Sequence, residues 1–311
     1  MRELPTHEFF VVSCSHAESS RHNACRVTAP RTLAPRTLAP GTLAPRTPHL
    51  APRLSYPAPA PYNPAVHRFF APSLDPGDET VALPRAEAEH LTRVLRLGTG
   101  DMVAVFDGRG HEFVARVASA VRRDVRVQIV TRVEPVVESG VALTLAQAVL
   151  KGDKMDDVIR DAVMLGAFAI QPIVTKRSET TVAALMRGAR VERWRRVALA
   201  SVKQSRRAVL PEIRMPLTLD VALEEPAAAL RMMLVEPTTA AAVEPISVLR
   251  DERAPADATL FVGPEGGWAA EEWLSAAAHG VRLVAFGPRT LRADAVAVAA
   301  ISVLQFLWGE I

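Results

Sequence analysis

The chain has 311 residues, 49% hydrophobic and 23% charged, with 37 Lys plus Arg against 34 Asp plus Glu and two cysteines. Both cysteines, Cys14 and Cys25, and 11 of the 24 prolines lie within residues 1–65. The rest of the chain has no thiolate to offer, which excludes a disulfide framework, a Cys-ligated metal and a Cys nucleophile there.

Residues 1–65 carry seven Arg and three Glu, a net +4. Thr32-Leu33-Ala34-Pro35-Arg36 recurs with little change through Thr42-Leu43-Ala44-Pro45-Arg46. A proline in every repeat blocks any helix longer than a turn, and too few bulky side chains remain to offset the entropy of ordering. The stretch is therefore expected to be a disordered, low-complexity tail. The apolar run Phe9-Phe10-Val11-Val12 is too short for a secretory signal. Arg-rich, acid-poor composition suits a transit peptide, but the prolines break its helix. The abrupt onset of globular patterning at Val66-His67-Arg68-Phe69-Phe70 favours a misassigned start over both, since valine codons can initiate translation in bacteria.

From 66 to 136 the pattern is β. Short apolar runs at 79–83 and 102–107 are followed by segments at 111–117 and 124–130, the latter alternating cleanly, with one helix at 85–96. Asp107-Gly108-Arg109-Gly110 is turn chemistry for a hairpin. Seventy residues of this kind suggest a small barrel. From about 141 the chain alternates strands (141–149, 169–174, 230–235, 259–262, 281–286) with helices (153–165, 187–208, 245–252, 270–279, 293–308). That alternation predicts an α/β domain with a parallel sheet and helices on both faces. The longest apolar stretch, Ala295–Trp308, is shorter than a bilayer crossing and reads as a buried terminal helix.

Ligands of such sheets bind beyond the carboxyl ends of the strands. Neither a dinucleotide glycine fingerprint nor a P-loop is present, and the eight His are scattered without metal-ligand spacing. Three strand-end loops stand out instead. Leu234-Val235-Glu236-Pro237 is the first. Gly263-Pro264-Glu265-Gly266-Gly267 ends a buried strand with three glycines around one carboxylate, suiting close backbone approach to a ligand or a tight turn. Phe286-Gly287-Pro288-Arg289-Thr290-Leu291-Arg292-Ala293-Asp294 leads into a helix that Asp294 could cap or equip for chemistry.

Basic groups lie upstream. Lys151-Gly152-Asp153-Lys154 opens a helix, where phosphate contacts or an Asp153 cap are equally natural. Residues 190–207 hold seven basic groups against Glu192 alone. Arg193, Arg196, Lys203 and Arg207 share a face at helical spacing, opposite a packing stripe of Trp194, Ala198 and Val202. This is a solvated charged face or a phosphate-binding one. Charge is also polarised: residues 66–219 carry 24 basic and 18 acidic groups, a net +6, while 220–311 carry six and 13, a net −7.

Taken in order, these motifs resemble the RsmE-type 16S rRNA uridine-N3 methyltransferases of the SPOUT superfamily. The resemblance runs over 67–308 and is carried by His67-Arg68-Phe69-Phe70, His90-Leu91-Thr92-Arg93-Val94-Leu95-Arg96-Leu97, Lys151-Gly152-Asp153-Lys154, Lys176-Arg177-Ser178, Gln204-Ser205 with Arg207, the glycine loop, and Leu291-Arg292. It implies a PUA-like RNA-binding β-barrel over 66–136, then a SPOUT-type parallel-sheet α/β domain with a trefoil knot over 137–311. It further implies S-adenosylmethionine as cofactor, a 16S rRNA or small-subunit substrate, a homodimer and a cytoplasmic location, with no metal and no membrane. The expected cofactor contacts are Leu234, Val235, Glu236, Gly263, Pro264, Glu265, Gly266, Gly267, Phe286, Gly287, Leu291, Arg292 and Ala293. Arg68, Arg96, Lys151, Lys154, Arg177, Arg206 and Arg207 are the expected RNA contacts.

Uracil N3 becomes nucleophilic only on losing its proton, so the site needs a proton acceptor and a cation for the developing anion. Glu265 and Asp294 are the candidate acceptors and Arg292 the candidate cation. The chain departs from the family where Leu-Arg-x-Glu-Thr-Ala becomes Leu291-Arg292-Ala293-Asp294-Ala295-Val296, and where Glu-Leu-Gly becomes Met164-Leu165-Gly166. Two other readings are a non-catalytic ribosome-assembly binder and a related knotted enzyme acting at another position of the RNA.

Overall fold

The computed structural model describes residues 66–121, 124–237 and 243–311, all within one compact unit of the chain. The expected disordered tail lies outside these residues. Two sheets organise the described chain.

The first sheet is formed by β1 (Arg68–Phe70), β2 (Thr80–Ala82), β3 (Met102–Phe106), β4 (Glu112–Val121) and β5 (Asp124–Val133), in the order β1-β3-β4-β5-β2. Only the β1–β3 pair is parallel. The alternation read at 124–130 is real: Val125 and Val127 are buried while their neighbours point out. They join Phe69, Leu74, Leu91, Val103, Val105 and Phe113 in a core of their own. The expected helix at 85–96 is α1 (Arg85–Glu89) and then a π-helical turn, His90–Val94, which ends where Arg96 takes a left-handed φ of +56°. The Asp107–Gly110 turn does join β3 to β4, and Gly108 and Arg109 also bridge to Val209.

The second sheet is entirely parallel. Its chain order is β6 (Ala142–Ala148), α2 (Lys154–Met164), β7 (Ala169–Val174), α3 (Val182–Arg187), α4 (Arg190–Ser205), β8 (Glu212–Ile213), β9 (Leu217–Thr218), α5 (Leu219–Glu224), β10 (Leu230–Val235), β11 (Glu244–Pro245), β12 (Asp257–Val262), α6 (Ala270–Ala278), β13 (Arg282–Ala285) and α7 (Ala293–Leu307). The strand order is β11-β13-β10-β12-β6-β7-β8, with β9 also on β7. Successive side chains go to opposite faces. Leu143, Leu145, Leu260 and Val262 face α2, α4 and α7, while Ala146, Met233 and Phe261 face α5 and α6. Helices on both faces are thus what the alternating pattern predicted.

Three differences from the sequence expectation have local causes. The helix expected at 187–208 is α4, and a short helix not expected from the sequence, α3, precedes it: Thr181 Oγ1 accepts the Ala184 N–H (3.2 Å) to start it, and it stops at Gly188. Arg206, at φ +63°, then ends α4 before Arg207. The helix expected at 245–252 is a 3₁₀ turn, Ile246–Asp251.

Candidate functional site

β13, β10 and β12 lie side by side, so the loops leaving their carboxyl ends converge. Together Leu234–Pro237, Gly263–Gly267 and the loop from Phe286 to Asp294 wall a cleft of about 320 Å³. Strand-end placement follows from the all-parallel sheet, and the volume is that of a small-molecule site. Leu234, Val262, Phe286, Leu291 and Val296 give it apolar walls. Glu236, Glu265 and Asp294 face Lys154, Arg289 and Arg292 around it, three carboxylates to three cations.

Side-chain-free backbone shapes the cleft. A Cβ on Gly263 would sit 3.1 Å from the Trp268 ring, whose Nε1 donates to the Leu234 carbonyl (2.7 Å) and so ties the first two loops together. Gly267 has φ +67°, and a Cβ there would lie 3.0 Å from Glu236 Oε1. Next to them, buried Glu272 accepts the Ala269 N–H and the Lys176 N–H (both 2.8 Å), fixing the Lys176–Arg177 turn against the glycine loop.

Both candidate acceptors are engaged by cations. Glu265 Oε1 accepts from Lys154 Nζ (2.9 Å) and from the Lys151 N–H (3.2 Å). Partial burial raises its carboxyl, but the hydrogen bonds from Lys154 and from the backbone N–H groups of Glu265 and Lys151 outweigh it and hold the group below the usual range. Asp294 takes a two-point bond from Arg292, Nε to Oδ1 at 3.1 Å and Nη2 to Oδ2 at 3.0 Å. That bond holds its carboxyl down against slight desolvation. Arg292 itself supplies the N-cap residue of α7, so Asp294 is not the cap; it orients a guanidinium that stays 74% exposed. At α2 the carboxylate is likewise drawn to an arginine, though from the cap position itself. Asp153 occupies the N-cap position without a capping bond, and its carboxylate pairs with Arg193 (2.9 Å).

Most expected cofactor contacts line the cleft, but Gly266 and Gly287 do not. Gly266 turns its carbonyl out to Arg177 Nη1 (2.6 Å), and Gly287, at φ +75°, turns the chain after β13. Sequence reasoning passed over Trp268, Arg289, Thr290 and Val296 as lining residues. Lys154, expected to meet RNA, also lines the cleft.

Two expected RNA contacts need correction. Arg68 is bound in two points by Glu112 (both 2.8 Å), donates to the carbonyls of Val202, Lys203 and Arg207, and lies over the Phe106 ring. Arg207, its side chain 6% exposed, pairs with Glu138 (2.5 Å) and donates to the carbonyls of Val163 (2.7 Å) and Ala167 (3.1 Å). These two guanidiniums are internal clips: all five N–H donors of Arg68 and at least four of Arg207 are taken up within the protein. Arg207 left its expected helical face because α4 ends before it. Arg96, Lys151, Arg177 and Arg206 are exposed, and Lys154 partly so. Trp194, Ala198 and Val202 are buried as the stripe predicted.

Comparison with known proteins places this geometry. Residues 137–305 match the RNA methyltransferase domain model, and residues 83–130 match the RNA methyltransferase PUA domain model. The ribosomal RNA small subunit methyltransferase E of a Synechocystis strain is 34% identical over 232 residues, 74% of each chain. The chain belongs to the ribosomal RNA small subunit methyltransferase E family. The methyltransferase E of Aquifex aeolicus is 28% identical over 224 residues, 72% of this chain and 93% of that one. The methyltransferase E of Neisseria gonorrhoeae, solved bound to S-adenosylmethionine, superposes with a TM-score of 0.70 at 28% identity, covering 78% of this chain and 98% of that one. Membership of the methyltransferase E family answers the expectation drawn from the ordered motifs, and the parallel sheet agrees with its fold class.

Proposed function

We propose that the chain methylates N3 of a uridine in 16S rRNA with S-adenosylmethionine bound in the strand-end cleft. The observation that carries the reading is the convergence of the three loops beside an exposed, carboxylate-oriented Arg292 in a chain of this family. The cleft fits the cofactor in kind. Its apolar walls suit an adenosyl group, its carboxylates a cation, and Gly263 and Gly267 leave backbone where a side chain would intrude. Bound there, the cofactor supplies an electrophilic methyl group on a positively charged sulfur.

The chain's own residues do the rest. The loops hold the two reactants in line, a contribution of proximity and orientation. Arg292 donates to the uracil oxygens as the N3 proton leaves, stabilising the negative charge that develops on them. Asp294 keeps that guanidinium in place. Glu265 and Asp294, both held below the ordinary carboxylate range, are weak proton acceptors, so the N3 proton passes to solvent. The exposed cations Lys151, Arg177 and Arg206, with Arg96 in the first sheet, meet RNA phosphates.

Three finer features belong to the same proposal. Residues 137–311 form the trefoil-knotted domain and 66–136 a PUA-like barrel, supported by the two family models. The protein acts as a cytoplasmic homodimer: Phe306 on α7, Met164 at the end of α2 and Phe168 beyond it are exposed and apolar, and Gln305 bonds the Leu165 carbonyl between them. The transfer proposed here calls for no metal. The test of the reading is calorimetric binding of S-adenosylmethionine followed by methyl transfer to unmethylated 16S rRNA. Binding without transfer would favour the assembly-factor reading.

A further inference from the structure

Three of the residues expected at RNA do not stand apart from the cleft; Lys154 and Arg177 by their side chains, and Lys151 by its main chain, hold its glycine loop. Lys154 Nζ pairs with Glu265 Oε1 at 2.9 Å, the Lys151 N–H reaches the same oxygen at 3.2 Å, and Arg177 Nη1 bonds the Gly266 carbonyl at 2.6 Å. The Arg177 stem packs where a Gly266 side chain would be, 3.3 Å from the Cβ position. Lys154 and Glu265 also both line the cleft, their side chains 36% and 24% exposed. One lysine thus has two competitors for its charge, a carboxylate inside the site and any phosphate arriving from outside.

We propose that the Lys154–Glu265 ion pair is a latch through which docked RNA raises the affinity of the cleft for a cationic ligand, with Lys154 as a positioning residue. The inference rests on the reading of the cleft as the cofactor site. The cleft lining is balanced at three carboxylates and three cations. A phosphate that draws Lys154 away leaves Glu265 uncompensated and the lining net negative. The methyl donor is a cation and gains from that charge, whereas the spent cofactor is a neutral thioether and does not. By linkage, a cationic ligand in the cleft tightens RNA binding by the same factor. RNA would therefore favour loading of fresh cofactor, and loss of the positive charge on transfer would weaken the hold on product and RNA together. The pair is partly in solvent, so the expected coupling is modest, about three- to fivefold.

The test is calorimetric titration of the full chain, with and without saturating unmethylated 16S rRNA. The ligands are sinefungin, which carries an amine where the donor carries its methylsulfonium and cannot transfer it, and S-adenosylhomocysteine, which is neutral. RNA should tighten sinefungin about three- to fivefold and leave S-adenosylhomocysteine unchanged. Lys154→Met should bind sinefungin more tightly than wild type without RNA and respond to RNA no further, while Lys154→Arg restores the response. A merely structural lysine would not improve binding when removed. Glu265→Gln, which has no carboxylate to release, should lose the RNA response and serves if the Lys154 variant does not fold. An RNA-insensitive sinefungin affinity in wild type, weaker sinefungin binding by folded Lys154→Met, or an RNA response that survives in Glu265→Gln overturns the latch. If wild type binds neither ligand, the cofactor reading falls first and the latch with it.

Discussion

Arg207→Met separates a structural arginine from an RNA-binding one. The substitution keeps most of the aliphatic stem and removes a guanidinium that serves Glu138 and two main-chain carbonyls at 2.7 and 3.1 Å. Removing one partner of a buried ion pair costs about 3–5 kcal/mol. Glu138 keeps 29% of its side-chain exposure, so water relieves part of its stranded charge and the loss expected here is about 2–4 kcal/mol. At roughly 2–4 °C per kcal/mol for a domain of this size, the melting temperature should fall by about 4–16 °C. Differential scanning fluorimetry reads that shift, and filter binding to 16S rRNA below the new melting point reads affinity. The expected result is a large drop in melting temperature with RNA affinity near that of wild type. An unchanged melting temperature with about tenfold weaker RNA binding would refute the burial reasoning and restore Arg207 to the RNA face.

Arg292→Ala should abolish methyl transfer while the oligomeric state by light scattering matches wild type; near-normal turnover would remove Arg292 from the chemistry. Gly267→Ala puts a side chain at φ +67° and 3.0 Å from Glu236 Oε1, so cofactor affinity by calorimetry should weaken by about tenfold, from strain of about 1–2 kcal/mol. Because the folded-state carboxyls of Glu265 and Asp294 are lowered, the stabilisation they lend is complete above the ordinary carboxylate range and is lost only as pH falls through their lowered values. Cofactor affinity should accordingly be flat from about pH 6 to 8, while the transfer rate climbs as N3 deprotonates. A rate inflection near neutrality that vanishes in Glu265→Gln would instead identify Glu265 as the proton acceptor.

What the sequence shows plainly is what depends on periodicity and on glycine. Buried strands such as Leu260–Val262 and the helix bearing Trp194, Ala198 and Val202 announce themselves by spacing, and Gly263–Gly267 by its composition. Two-residue strands such as β8 and β9 take their form from pairing with β7, a long-range contact that leaves no local pattern. The fate of individual arginines was equally hidden. Arg68 and Arg207 look like solvated charge until Glu112 and Glu138, 44 and 69 residues away, are brought to them by the fold. Asp294 was legible as a carboxylate of the site but not as the partner of its own neighbour, Arg292, since either a cap or a free base fits the same position.

The central claim is tested most directly by incubating the protein with S-adenosylmethionine and unmethylated 16S rRNA and mapping the product nucleotide by mass spectrometry. A single uridine carrying one added methyl group at N3 is the predicted product. Methyl transfer to a ribose hydroxyl or to another base, or no transfer by protein that binds the cofactor, would contradict it.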